Sequence, residues 1–393
     1  MRSERAERSA YQGLVEEARI CAHCGSCKAG CPTYAQIGWE SASPRARVVL
    51  ADRLVREGGR EGFSEEQVRR ALECTLCGNC RVACPAGIDT RRFLLELREE
   101  IRGADKDPEP FRQLASGLAA RGNVSAFENA TRADWLDEVD DSGVVVGEPA
   151  EVGYFVGCVA SFYPIVSDIP ESFARLFGRM GRTVAILGAE ELCCGFPLIV
   201  AGREAEAERL IRHNLKRVEA LGVKTLVTGC PSCFHTWVHD YPKVAGGRLP
   251  FEVVTATQYL LRAVREGALD VASGEELDEV VTFHDPCDLG RNSGLYDEPR
   301  ELLRSLPGVT LVEMAHHREN ALCCGGGGDL QALEPELTKA VADRRIREAA
   351  ETGASIVATA CQQCVTVLRE AARRNKVRVE VLDVIQLVLR VFE

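Results

Sequence analysis

GVKTLVTGCPSC at 222–233 lies over GASIVATACQQC at 353–364 without a gap. Downstream, EVVTATQYLL (252–261) lies over EVLDVIQLVL (380–389). Upstream, each copy carries a vicinal pair, Cys193-Cys194-Gly195 or Cys323-Cys324-Gly325, preceded by a single cysteine, Cys158 or Cys287. The intervening lengths are 34 and 35 residues in the first copy and 35 and 36 in the second. A repeat offset of about 130 residues means duplication and predicts two pseudo-equivalent lobes. VGYFVGC, KTLVTGC, EVVTFHDPC and ASIVATAC read as buried strands. Between them, REAEAERLIRHNLKRVEALG and PELTKAVADRRIREAAETG read as amphipathic helices stopped by glycine. Strand–helix alternation predicts α/β lobes with parallel strands, whose carboxyl ends are the usual place for a site. Cys158, Cys230, Cys287 and Cys361 all fall where a strand should end, so the loops bearing them should converge.

Eight further cysteines precede the repeat. Cys21-A-H-Cys24-G-S-Cys27-K-A-G-Cys31-Pro32 and Cys74-T-L-Cys77-G-N-Cys80-R-V-A-Cys84-Pro85 both read C-x2-C-x2-C-x3-C-P, the run of two-cluster bacterial-type ferredoxins. Three thiolates on a tight loop wrap three corners of a cubane, and the fourth reaches to the other cluster. By that rule Cys21, Cys24, Cys27 and Cys84 hold one 4Fe–4S cubane, and Cys74, Cys77, Cys80 and Cys31 hold the second. Zinc needs only four ligands, which would leave the third cysteine and the proline of each run without purpose. Between the runs, Ser43-Pro44 predicts an N-cap and N1 proline opening RARVVLADRLVREGG. Ser64-E-E-Gln67 predicts a capping box on the helix that delivers Cys74. Arg45 and Arg47 are expected on a solvated helix face, and His23 beside a cluster sulfur.

The chain has 393 residues, a net charge of −11 and 18 cysteines. The acidic balance argues against nucleic acid as a partner. No stretch approaches a membrane span. MRSERAERSAYQGLVEEARI lacks the apolar core of a secretory leader, so a reducing, cytoplasmic setting is expected, with membrane association only through a partner. No G-x-G-x-x-G follows a strand, so flavin or nicotinamide is expected on a partner and not in this chain. DKDPEP and DWLDEVDDSG read as an acidic connector. The expected architecture is an α+β multidomain chain: a helical two-cluster domain over 1–105, a linker over 106–150, and α/β lobes over 151–275 and 276–393. Arginine outnumbers lysine 41 to 7.

Each lobe holds five cysteines where a cubane takes four. Neighbouring Cα atoms are about 3.8 Å apart, too close for an ordinary disulfide. Either the fifth sulfur is a redox-active thiol or the cluster is not an ordinary cubane. Gly325 to Gly328 would offer backbone N–H groups to a negatively charged centre.

CPTY (31–34), SPRAR (43–47), CCGFPL (193–198), GCPSC (229–233), HDPCDLGR (284–291), RENALCCGGGG (318–328) and VLDVIQLV (381–388) together resemble the heterodisulfide reductase family. The lobes look like its CCG domains, and the order ferredoxin–CCG–CCG resembles its D subunit. More distantly the chain is similar to iron–sulfur subunits of glycolate, lactate and glycerol-3-phosphate dehydrogenases. The resemblance implies a non-cubane 4Fe–4S cluster on Cys158, Cys193, Cys194, Cys230 and Cys233, and another on Cys287, Cys323, Cys324, Cys361 and Cys364. Two positions depart from the family: Asp288 stands where histidine is common, and Gln362 where proline is common.

The activity so implied is reduction of a small disulfide, such as that of coenzymes M and B, at clusters bound by Cys193, Cys194, Cys323 and Cys324. Protons would come from His284 or His235. The expected partner is a membrane cytochrome b-type subunit or a FAD-binding dehydrogenase subunit. The alternative is electron transfer from a flavoprotein 2-hydroxyacid or glycerol-3-phosphate dehydrogenase without substrate chemistry.

Overall fold

The computed structural model describes residues 17–56, 64–140 and 143–393. Most of the stretch read for a leader, and the glycine stop at 58–59, lie outside the described residues. Up to residue 103 the chain is helical, with helices Pro32–Ile37, Pro44–Arg56, Glu65–Leu72, Asn79–Val82 and Thr90–Gly103. Both predicted helix starts are present. Ser43 Oγ accepts from Ala46 N (3.0 Å), and Ser64 and Gln67 form the reciprocal capping box. Phe93, Leu94, Leu97 and Ile101 line one face of the last helix and bury it against Val48, Val68 and Leu72.

The two lobes are parallel sheets of the same order. In the first, β2 (Val152–Phe155), β3 (Val184–Ile186), β4 (Thr225–Thr228) and β5 (Glu252–Thr255) run 3-2-4-5. In the second, β6 (Glu279–His284), β7 (Val309–Val312), β8 (Ile356–Thr359) and β9 (Glu380–Asp383) run 7-6-8-9. The duplication read from the cysteines thus holds strand by strand. A capping box opens the helix after the last strand of each lobe, Thr255 with Gln258 and Asp383 with Gln386.

Helix packing makes the pair reciprocal. Asp168–Arg179 of the first lobe packs on Val384–Arg390 of the second, and Asp297–Ser305 of the second packs on Ala256–Arg265 of the first. Each contact joins the helix after a lobe's leading strand to the closing helix of the other. This is the self-complementary contact of a twofold dimer, made within one chain. Phe173, Tyr259, Leu302 and Leu387 accordingly belong to a single apolar core.

The expected acidic connector is instead built into the fold. Helix Glu109–Arg121 buries Phe111, Ala115 and Leu118, which recur at i, i+4 and i+7, and Trp135 enters the core between the lobes. A further strand, β1 (Val144–Val146), pairs parallel with β3 at the edge of the first sheet. Acidic side chains on the solvent faces masked this apolar spacing.

Two buried arginines fasten the helical domain to the lobes. The guanidinium of Arg98 donates to the carbonyls of Leu72 (3.1 Å), Cys74 (2.7 Å), Val200 (2.7 Å) and Gly328 (2.9 Å). Arg291 donates to Cys77 O (2.7 Å) and Ala321 O (2.7 Å). Arg98→Met would leave four carbonyls of three structural units without their donor. The expected cost is about 3 kcal/mol, seen as a lower urea midpoint, with Arg98→Lys recovering part of it.

Candidate metal centres and the cavity between the lobes

In an open parallel sheet, neighbouring strands whose connections leave in opposite directions open a crevice at their carboxyl ends. In these lobes the strands are β2 with β4 and β6 with β8. Cys158 and Cys230 follow the first pair, and Cys287 and Cys361 the second. Cys230 and Cys361 are N-caps, of helices Pro231–His239 and Gln362–Asn375. Thiols there face the positive end of a helix. All 18 cysteines are free of disulfides.

In the first lobe the five thiols form a contiguous chain. Cys193 reaches Cys158 and Cys194, and Cys233 reaches Cys194 and Cys230. Hydrogen bonds from Cys193 and Cys233 pull the Cys194 thiol down to about 6. Cys230 is pulled down by the Cys233 thiol and by backbone N–H groups of Cys233 and Ser232. Arg132 lies beside the set, with Nη2 on Cys158 Sγ (3.4 Å) and Nη1 on Glu191 (2.7 Å). Glu191 also accepts from Val156 N (3.0 Å) and Gly157 N (2.9 Å), fixing the loop that carries Cys158. Asn214 holds the other loop through Leu192 and Cys193 O.

The second lobe repeats the pattern. Cys364 lies 3.2 Å from Cys324, and Cys323 reaches Cys287 and Cys324. Hydrogen bonds from Cys323 and Cys364 pull Cys324 well below the usual thiol range. Gly325 N points at Cys323 Sγ (3.3 Å) and Gly326 N at Cys324 Sγ (3.5 Å). The glycine run therefore offers N–H groups to sulfur as its composition suggested. Gly327 and Gly328 have a second role. A Cβ on Gly328 would sit 2.5 Å from Cys74 O, and one on Gly327 3.1 Å from Thr75 O. The helical domain rests its second cysteine loop on this lobe, and Cys77 lies within hydrogen-bonding reach of Cys323.

Within the helical domain, Cys31, Cys74, Cys77 and Cys80 line one small cavity. This is the grouping expected from the motif, with Cys31 crossing over. The turn Ser26–Lys28 packs against helix Asn79–Val82, which leads to Cys84. A Cβ on Gly30 would sit 2.5 Å from Asn79 Cγ, so that side chain would have to shift. Arg47 is not on a solvated face. It is buried, donates to Arg70 O (2.9 Å) and Glu73 O, and its charge favours the Cys74 thiolate. Arg45 holds His23 O (2.9 Å), so His23 is placed through its backbone in the left-handed region at φ 53°.

Neither histidine expected to donate protons lines the cavity between the thiol sets. His284 is fully buried and takes the Arg345 Nε–H on Nδ1 (2.9 Å). Burial and that guanidinium hold its pKa well below the usual range. The imidazole lies within 4.8 Å of Cys324 and Cys364. Burial lowers His235 to about 4, and it faces Ser293 and His239. Both are buried off that cavity.

The thiol sets of the two lobes share one cavity of about 380 Å³. Nine of the ten lobe cysteines line it, all but Cys323. The donor set fits iron–sulfur clusters: close-packed undisulfided thiols, backbone N–H groups aimed at sulfur, and a cation beside each lobe's set.

The cysteine-rich domain family matches residues 152–237 and 281–369, and a 4Fe-4S dicluster domain matches 20–89. The D subunit of the dihydromethanophenazine:CoB--CoM heterodisulfide reductase of Methanosarcina barkeri is 31% identical, covering 95% of this chain and 93% of that protein. The chain belongs to the family of heterodisulfide reductase D subunits. It is an iron–sulfur oxidoreductase subunit of that family. Two longer proteins are also similar. The probable iron-sulfur-binding oxidoreductase FadF of Bacillus subtilis is 31% identical over 83% of this chain and 46% of its own length. The EtfAB:quinone oxidoreductase of Syntrophomonas wolfei is 28% identical over 82% and 46%. Among the described residues no helix is long and apolar enough to cross a membrane.

The two departures from the heterodisulfide reductase pattern both tie the lobes together. Asp288 accepts from Ser232 Oγ of the other lobe (2.6 Å) and from Asn292 (2.8 Å). Gln362 donates across to Val156 O (3.2 Å).

Gly328→Ala should prise the ferredoxin-type loop off the second lobe, since it adds a 2.5 Å clash to a left-handed residue. The expected loss is about 2–3 kcal/mol, with Gly327→Ala milder. Urea denaturation of the two variants checks the order.

Proposed function

We propose that this chain reduces a small disulfide in the cavity between its lobes. The carrying observation is that both five-thiol sets open onto that cavity. The reaction is R–S–S–R′ + 2 e⁻ + 2 H⁺ → RSH + R′SH: the sulfur–sulfur bond breaks, and each sulfur takes one electron and one proton. The cysteine grouping supports two cubane clusters, on Cys21, Cys24, Cys27 and Cys84 and on Cys74, Cys77, Cys80 and Cys31. It supports two five-thiolate, non-cubane clusters in the lobes. Bound there, the clusters supply electrons one at a time.

The remaining work belongs to the chain. Gly325 and Gly326 N–H groups and Arg132 offset negative charge at sulfur. Asp288 and Gln362 hold the two halves of the cavity at fixed spacing. The contact of Cys77 with Cys323 supports entry of electrons through the second lobe. With both imidazoles off the cavity, protons arrive from solvent. The reductant is a one-electron donor on a partner subunit, of FAD-binding or membrane cytochrome b type.

A second reading, electron transfer between a flavoprotein and a quinone, is favoured by the likeness to the EtfAB:quinone oxidoreductase. The cluster-loaded chain should contain about sixteen iron atoms and as many acid-labile sulfides. With reduced viologen it should turn over bis-hydroxyethyl disulfide. Cys324→Ser should lower turnover at least roughly a hundredfold while the ferredoxin-type EPR signals persist. Full iron content without disulfide turnover would favour the second reading.

A further inference from the structure

Both vicinal pairs receive backbone N–H groups, Cys193 and Cys194 from Gly195 and Phe196, and Cys323 and Cys324 from Gly325 and Gly326. Each lobe also sets an arginine at its leading cysteine, Arg132 at Cys158 and Arg291 at Cys287. One polar side chain beside sulfur has no copy. His284 ends β6 opposite Thr359, and the residue opposite the matching Thr228 at the end of β2 is Phe155. Phe155 packs edge-on to Trp237 in the apolar core that holds Cys193, Cys194 and Cys233. Where the first lobe has a phenyl ring, the second has an imidazole with a ring nitrogen within 4.8 Å of Cys324 and Cys364 Sγ.

Arg345 decides which nitrogen carries the proton. It is fully buried, and a guanidinium Nε–H can only donate. Its bond to Nδ1 (2.9 Å) requires a lone pair there, which leaves the ring N–H at Nε2. Arg345 is itself held, donating to His316 O (2.9 Å) and to Glu348 (2.6 Å), while Glu348 takes His316 N (2.8 Å). His284 is 1% exposed, so bulk water does not compete for the N–H.

An N–H donated to cluster sulfur binds more strongly to the more negative, reduced state, and so raises the reduction potential. We propose that His284 sets the potential of the second-lobe cluster: its Nε2–H donates to sulfur there and makes that cluster easier to reduce, a contribution that the first-lobe cluster lacks. Arg345 is the positioning residue that holds the ring and its proton in this arrangement. Two lobes with the same five thiols thereby become unequal one-electron centres. The inference rests on the five-thiolate cluster assignment of the proposed function and is independent of what accepts the electrons.

Electrochemical titration of the cluster-loaded chain, followed by EPR, tests it. The second-lobe signal is the one that Cys324→Ser removes. His284→Asn keeps an acceptor for Arg345 but is too short to bring an N–H to sulfur. It should make the second-lobe cluster at least roughly tenfold harder to reduce at a fixed potential, about 59 mV lower for a one-electron couple. The first-lobe and ferredoxin-type signals should keep their midpoints. His284→Gln is longer by one methylene and carries its amide N–H to the position of Nε2, so it should recover at least half of the shift. An unmoved midpoint in His284→Asn overturns the inference. An equal drop in both variants does so too, because it marks lost packing and not a lost donor. Loss of second-lobe iron from either variant overturns it by making His284 a ligand. A wild-type chain with no signal that Cys324→Ser removes fails together with the cluster assignment, whereas full iron content with an unmoved midpoint fails this inference alone.

Discussion

Guanidinium groups buried beside thiols are the interaction on which the rest of this structure depends. Seventeen of the eighteen cysteines, all but Cys24, are buried or half-buried and bring ionisable sulfur into a low-dielectric interior, a large cost unless each charge is paired. Buried arginines stand beside them, Arg47 and Arg98 near Cys74, Arg132 on Cys158, and Arg291 near Cys77, Cys287 and Cys323, while the half-buried Arg45 lies near Cys24. Each also binds backbone carbonyls or a carboxylate, so the group that offsets the charge also positions the loop that carries it. Lysine offers a point charge on a flexible stem and cannot hold several carbonyls at fixed angles. The excess of 41 arginines over 7 lysines therefore has a structural component in this protein.

Topology supplies what charge pairing cannot, the convergence of distant segments. Reversal of connection direction between β2 and β4, and between β6 and β8, brings cysteines far apart in the chain to one crevice per lobe. Reciprocal helix packing then turns the crevices onto a common space. A shared cavity follows from two features, parallel order within each lobe and a self-complementary contact between them. Neither alone would set two thiol sets against one volume.

Much of this was legible in the sequence, for identifiable reasons. Cysteine spacing is a local signal, and strand-ending cysteines are marked by the β-branched run before them, so Cys158, Cys230, Cys287 and Cys361 were readable. So was the crossover of Cys31. Groups that act through tertiary contact left no comparable trace. Glu191 is one acidic residue before a vicinal pair, and Arg132 lies in a stretch whose acidic character suggested a connector. The i, i+4, i+7 spacing of Phe111, Ala115 and Leu118 could have revealed the helix there. Asp288 and Gln362 were visible as departures, but their hydrogen bonds cross the duplication, and a repeat aligned on itself shows only what the copies share. His235 and His284 were read as proton donors from their proximity to cysteine in sequence, which says nothing about burial or about Arg345.

The lobes diverge most informatively just after their vicinal cysteines. The first continues Gly195-Phe196-Pro197-Leu198 and turns into a short helix, Phe196–Val200, whose end enters the core of the helical domain. The second continues as four glycines, and the last two leave room for the carbonyls of Cys74 and Thr75. Side chains at those positions would separate Cys77 from Cys323. One copy of the duplicated unit thus spends these residues on packing, and the other gives up side chains so that a neighbouring domain's thiols can approach. The helical domain touches both lobes but brings its own sulfur to only one. Two lobes alike in strand order and in their five thiols are therefore unequal in their approach to the helical domain's thiols, and that inequality rests on the missing β-carbons of Gly327 and Gly328.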